Sequence, residues 1–415
     1  MIDEEREKLR TVAWSELLPW LSLFRTFRLA WHPRALLFAT VALVLTIHGW
    51  ALFGWMFSGS DDKMVQQQID QIAPRGDYPC APLAALVPDR PTWPSQELFT
   101  NPTEWLQSIS VVWQTLSQPF VGLFHSETSL TGLAYLLLCG LWAVLVWAFF
   151  GGAITRSAAL QLAADEQIGT RELVGFVWSR WRSYAAAALF PFLGVLVANL
   201  GILFVSWLLC WSVSAWVVAI LWPLLLLGGL MMTVLLLGAW FGWPLMWATI
   251  SSEGTDSFDA LNRMYAYVRE KPLQYLFYIV VAGLFGTLGW LLVVNFAAAI
   301  LAFTDWAASW GCGQESYNDL LACKTTAGYL IQFWRDCVKL LAVGFLFSYF
   351  WTAATAIYFL LRRDVDATEM DEVFTDDEQS NEVYGLPNIG TDEQDAPTIT
   401  EPETPTPPEE TDQPE

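Results

Sequence analysis

Residues 216–250 read WVVAILWPLLLLGGLMMTVLLLGAWFGWPLMWATI. None of these 35 positions is an Asp, Glu, Lys or Arg. A hydrocarbon core of about 30 Å takes about 20 helical residues, so the run suits a membrane yet is too long for one upright helix. Pro223 and Pro244 each remove a backbone donor near its ends. The run reads as one long or kinked span, with two short re-entrant segments as the alternative.

Five further uncharged runs flank it, at 35–57, 130–154, 185–209, 273–303 and 340–361. With 54% hydrophobic residues and 24 tryptophans, the chain reads as an all-α polytopic membrane bundle. It has six transmembrane helices and additional interfacial helices. The first run, at about 23 residues, exceeds a signal-peptide core and reads as an uncleaved span. Residues 1–34 form an amphipathic interfacial segment, 35–361 the membrane domain, 58–129 its large outer loop and 362–415 a tail. Within the outer loop, the first half is polar and Pro-rich. Residues 105–124 are weakly amphipathic and are expected to lie along the outer surface.

Charge sets the orientation. The net charge of −21 belongs to the tail: residues 364–415 hold 18 of the 42 acids and no base, leaving 24 acids against 21 bases elsewhere. Fifteen bases fall on one side of the six spans, among them Arg25, Arg28, Arg34, Arg156, Arg171, Arg180, Arg182, Arg263 and Arg269. The other six are Lys63, Arg75, Arg90, Lys324, Arg335 and Lys339. Basic loops stay inside, so both termini are expected in the cytoplasm of a bacterium, with the bundle in its inner membrane. The tail is too acidic to partner nucleic acid and too poor in large apolar residues to fold alone. Its apolar islands, Phe374 and the pair Tyr384 and Leu386, are the candidate contacts for a cytoplasmic protein. The other partner is the lipid bilayer; the oligomeric state is left open.

Three inward-facing segments alternate aromatic and basic residues before a span: LFRTFR at 23–28, then Pro33; VWSRWR at 177–182, with no proline; and LNRMYAY at 261–267, then Pro272. They read either as three parallel units, each an interfacial helix plus a hairpin, or as the composition common to cytoplasmic interfaces. In the third, Phe258, Leu261, Tyr265 and Val268 share a helical face. Asp259 and Arg263 are spaced i, i+4 in the favourable order. With Glu253 and Asp256 they make a candidate interfacial polar cluster.

Little else in the sequence carries chemistry. His32, His48 and His125 are scattered and no metal-knuckle, P-loop or nucleophile-elbow motif occurs, so no catalytic residue, metal or cofactor is expected. Only His48 is ionisable within a span, with Asn199 and Asn295 as polar amides, which argues against an ion-driven pump. Gly238 and Gly242 permit a close helix approach, within the monomer or at a dimer seam. Gly283, Gly286 and Gly289 do the same in the fifth run. Cys139 is a buried thiol. Of the outer cysteines, Cys312 and Cys323 are the first candidates for a disulfide, Cys80 with Cys337 the next, and reduced thiols the alternative.

Three groups of residues carry a family resemblance: WSELLPW at 14–20 with LFRTFR at 23–28; GAITR at 152–156 with DEQIG at 165–169; and GWPLMW at 242–247 with EGTDSFDAL at 253–261. Together they resemble a group of uncharacterised multi-span membrane proteins of planctomycete-type bacteria, over most of residues 14–361. The succession of span end, short polar helix, basic-Pro and new span also resembles the YciC-like six-span families. Neither resemblance implies an activity. An uncharged bundle with a disordered tail suits a non-enzymatic scaffold or accessory subunit. A transporter or channel for a neutral or lipid-like solute is the alternative, and a lipid-directed enzyme using Glu253, Asp256 or Asp259 the third reading.

Overall fold

Capping chemistry places the helix ends in the computed structural model, which describes residues 18–72, 83, 86–92, 107–125, 128–207, 214–321, 325–374, 388–391 and 397–400. A 3₁₀ turn over Pro19–Phe24 runs into α1 (Arg25–Ala30). α2 (Pro33–Phe57) opens on a proline, whose missing N–H is no loss in a first turn, and the His32 ring accepts from the Arg34 N–H. α3 (Lys63–Ile72) and α4 (Gln107–Gly122) follow in the large loop. α5 (Leu130–Ala163) is capped by Ser129, whose hydroxyl accepts from the Gly132 N–H at 3.1 Å. Then come α6 (Thr170–Trp207), α7 (Ser214–Glu253) and α8 (Ser257–Glu270). Asp256 caps α8 by accepting from the N–H groups of Phe258 and Asp259 at 3.0 and 2.9 Å. α9 (Pro272–Cys312), α10 (Gln314–Leu321) and α11 (Thr326–Asp366) complete the bundle. Gly254 and Gly313, at φ 64° and 81°, end α7 and α9 in the left-handed conformation that costs glycine least.

Six helices, α2, α5, α6, α7, α9 and α11, are long and apolar enough to cross a membrane. Several outrun their apolar stretch. α6 starts at Thr170 rather than 185, and α11 covers 326–366 rather than 340–361. A helix satisfies its own backbone wherever it goes, so it continues into water with charged side chains. Hydropathy registers only the part free of charge.

The long run is one unbroken helix with both prolines inside it. At about 1.5 Å per residue α7 is about 60 Å long, twice a bilayer core. It divides the excess between two environments. Residues 216–237, about 33 Å of helix, are exposed or half-exposed except Val218. Residues 245–252 are buried throughout, enclosed by α5, α6, α8 and α11. The glycine pair serves that enclosure. A Cβ on Gly238 would lie 1.8 Å from Tyr265 and one on Gly242 2.1 Å from Met264, so the notch admits α8 within the monomer. The buried face of α8 is Ala260, Met264 and Tyr267, with Phe258 exposed. Of the face marked by Phe258, Leu261, Tyr265 and Val268, Tyr265 reaches the notch and donates to the Leu235 carbonyl at 2.8 Å. The most buried positions are shifted from that face because the partner is a notched helix.

α4 departs from the sequence expectation. Instead of lying along the surface it packs against α5, α9 and α11, and the Trp113 ring sits 5.6 Å from Trp243 and 6.3 Å from Phe350. The polar half of the loop also holds an unforeseen helix. α3 buries Val65, Ile69 and Ile72 against Trp50 and Tyr135, a one-face spacing of i, i+4, i+7. The N-terminal segment is tucked in too: Leu23, Thr26 and Ala30 are buried, and Phe27 packs on Phe345 at 5.6 Å, in the space left by Gly289. Arg25 and Arg28 meet Asp165 at 3.2 and 3.3 Å.

The three aromatic–basic segments differ as their prolines do. α1 and α8 are separate short helices, each followed by a helix that begins on proline, whereas 177–182, lacking one, runs straight on in α6.

Phe374–Glu415 form a separate unit. Its strands β1 (Asn388–Thr391) and β2 (Pro397–Thr400) pair antiparallel with Ile389 opposite Ile399. A lone two-stranded ladder is marginal in water, in keeping with the tail's low apolar content.

Candidate functional site

Trp240, Trp243 and Trp247 are spaced i, i+3, i+7 on α7 and therefore share a face. Opposite them stand Trp147 of α5 and Trp113 of α4. α4 reaches α6 and α7 through rings: Phe120 stacks on Phe192 at 4.7 Å and Trp113 meets Trp240 at 5.7 Å. Between these rings lies a cavity of about 580 Å³. Leu116, Val144, Ala188 and Leu237 contribute to its apolar wall, and among the described lining residues only Ser117 and Thr233 bear a hydroxyl. A space this size falls within the range of about 300–1,000 Å³ that holds a small molecule.

A second cavity of about 590 Å³ adjoins it on the loop side, walled by α3, α4 and residues 83 and 86. Ser117, Val121 and Trp240 line both. Its wall includes Gln67, Gln68, Gln71, Gln114 and Gln118 together with His125, and among the described lining residues none is Asp, Glu, Lys or Arg.

Behind the apolar cavity lies a polar layer. Trp247 stacks on Trp351 at 4.4 Å and donates its indole N–H to the Tyr184 carbonyl at 2.9 Å. The Ser251 hydroxyl meets those of Thr155 at 2.6 Å and Tyr184 at 2.8 Å. Arg156, only 4% exposed, donates to the Ser251 carbonyl at 2.8 Å and lies 4.0 Å over the Phe176 ring. Arg180 covers the same ring at 4.3 Å. This layer holds α5, α6 and α7 in register, and each buried hydroxyl named here has a partner.

The polar cluster marked in the sequence is partly assembled. Arg263 pairs with Glu253 at 2.8 Å and approaches Asp259 at 3.8 Å. Burial works against the Arg263 charge, but Glu253, Tyr267 and Tyr358 together more than offset it, so the guanidinium holds its proton more tightly than usual. Asp256 stands apart as the α8 cap. The sequence reading missed the partners from α11. Tyr358 donates to Glu253 at 2.5 Å, Arg362 lies 4.0 Å from the same carboxylate, and Asp366 lies 3.9 Å from Arg263. Tyr267 donates to Asp366 and Tyr278 to Asp364. Glu253 is thus held from several sides, in a position to fasten helices.

A charged clasp on the loop side was also unforeseen. Asp89 takes Lys339 at 2.8 Å and Arg335 at 3.0 Å. Arg335 also pairs with Asp305, which accepts from Tyr317 at 2.6 Å. Burial alone would raise the Asp89 carboxyl, but Lys339 and Arg335 hold it below the usual range. Burial and the bond to Asp305 push the Tyr317 phenol up to about 12. Nearby, Asn295 accepts from the Thr92 N–H at 2.8 Å, which fastens the same loop to α9. His48 donates to the Val44 carbonyl of its own helix at 2.8 Å.

Cys312 is exposed at the end of α9 and donates to the Ala308 carbonyl; its expected partner Cys323 lies outside the described residues, as do Cys80 and Cys210. Of the tail contacts, Phe374 is in an irregular segment, and Tyr384 and Leu386 lie outside the described residues.

No protein-family model matches the chain, and neither a curated protein nor a solved structure is similar to it.

Proposed function

We propose that this multi-pass membrane protein holds a lipid-like apolar molecule between α4, α5, α6 and α7. The observation that carries the reading is the cavity of about 580 Å³ walled by five tryptophans. Apolar molecules enter such a space from lipid without desolvating any charge, whereas water gains few partners there. The basic loops put the α8 face in the cytoplasm and the Gln-lined vestibule outside, in a bacterial inner membrane. The proteins named by the planctomycete-type resemblance remain the proposed relatives.

The test is to purify the full chain in mild detergent and quantify the lipid that stays bound. We expect bound lipid on the native chain and its loss in Ala188→Trp, which fills the cavity while the protein stays folded. Lipid retained equally by both proteins contradicts the reading. A scaffold for a cytoplasmic protein is the second reading. It draws on the fixed root of the acidic tail, where Tyr267 and Tyr278 bind Asp366 and Asp364. It predicts a chain that purifies with a tail-dependent partner and an empty cavity.

A further inference from the structure

The two cavities meet at Ser117, Val121 and Trp240, so one molecule can occupy both. Its body would then lie among tryptophans and its other end among glutamines. We infer that the occupant is an uncharged amphiphile whose head carries hydroxyl or amide groups, a neutral glycolipid being the representative chemistry, with the head at Gln67, Gln71 and Gln114. This inference rests on the lipid-holding reading above and adds the class of ligand.

Charge complementarity selects the head group. An amide side chain offers both a carbonyl acceptor and an NH₂ donor, which matches a hydroxyl that also does both. A phosphate or carboxylate is best met by a fixed cation, and among the described lining residues none is Lys or Arg; His125 is the one titratable side chain there, beside five glutamines. On the same side of the bundle, Arg335 and Lys339 are taken up by Asp89 and Asp305. Placing an unpaired charge beside Trp240 would incur a desolvation cost that a neutral head escapes. Gln67, Gln71 and Gln114 are exposed side chains facing this space, so they are free to turn toward a head that arrives. The apolar end needs no such group: in the inner cavity, shape and aromatic surface suffice.

The experiment is native mass spectrometry of the full chain in an uncharged detergent. It is titrated with monoglucosyl dioleoylglycerol and with dioleoyl phosphatidylglycerol, two lipids with the same chains. The glycolipid should be held at least about tenfold more tightly, and Gln71→Leu with Gln114→Leu should bring the two within about twofold. Gln67→Leu, at an exposed position, gives the same trend should the double variant fail to fold. Phosphatidylglycerol held as tightly as the glycolipid overturns the inference, and so does a preference that survives the glutamine replacements. Ala188→Trp and Leu237→Trp separate the two levels of the account. Loss of both lipids on filling the cavity, with no preference in the native chain, overturns only the head chemistry. Both lipids retained by both filled variants overturns the lipid-holding reading and this inference with it.

Discussion

Residues 216–237 of α7 turn Leu, Trp, Val and Met outward on nearly every side, with Trp216 79% and Ile220 77% exposed. Eight residues further on, the same helix is enclosed completely, and Met246, Ala248, Thr249, Ile250, Ser251 and Ser252 are all 0% exposed. Hydropathy measures the cost of leaving water and is silent on what replaces it, so lipid and protein interior look alike in the sequence. The two halves differ in what they must accommodate. Lipid adapts to any shape, and the outer half is a simple apolar rod. The enclosed half must fit neighbours, so it carries the notch at Gly238 and Gly242, the stacking ring of Trp247 and the hydroxyls of Thr249, Ser251 and Ser252. The cavity lies where one regime passes into the other.

The largest contrast should come from truncation. Trp247→Ala removes a ring stacked on Trp351 and a bond to the Tyr184 carbonyl, and should cost about 3–5 kcal/mol. Leu226→Ala, at a position 63% exposed, should cost under about 1 kcal/mol, because lipid closes over the missing atoms. Reversible unfolding in mixed micelles measures both, and equal losses would erase the distinction between the halves.

A smaller contrast comes from added volume. Gly238→Ala drives a methyl into Tyr265 and should destabilise by about 1–3 kcal/mol. Gly229→Ala meets nothing within 4 Å and should stay within about 0.5 kcal/mol. The same unfolding assay sharpens the comparison: a tolerant Gly238 would mean that α8 does not pack into the notch.

Much of this architecture is legible in the residues. Charge-free runs identify the spans, Pro33 and Pro272 mark helix starts, and Asp259 four residues before Arg263 points to the pair that forms. What was missed depends on contacts remote in sequence. Nothing near Glu253 announces Tyr358 or Arg362, which lie more than a hundred positions away, and nothing near Asp89 announces Arg335 and Lys339. Trp113 reads as the apolar side of a surface helix until Trp243 and Phe350 are brought to it. The overlong run signalled a conflict, since 35 apolar residues exceed one bilayer. Its resolution lies in α8 and α11, which the run itself does not encode. The cavity is hidden for the same reason, its five tryptophans coming from three helices.

The most direct test of the two-environment account is labelling of the membrane-embedded full chain with a lipid-soluble photoactivated carbene, mapped residue by residue along α7. The account predicts modification across 216–237 and none at 248–252. Comparable labelling of 248–252, or protection of 216–237, would contradict it.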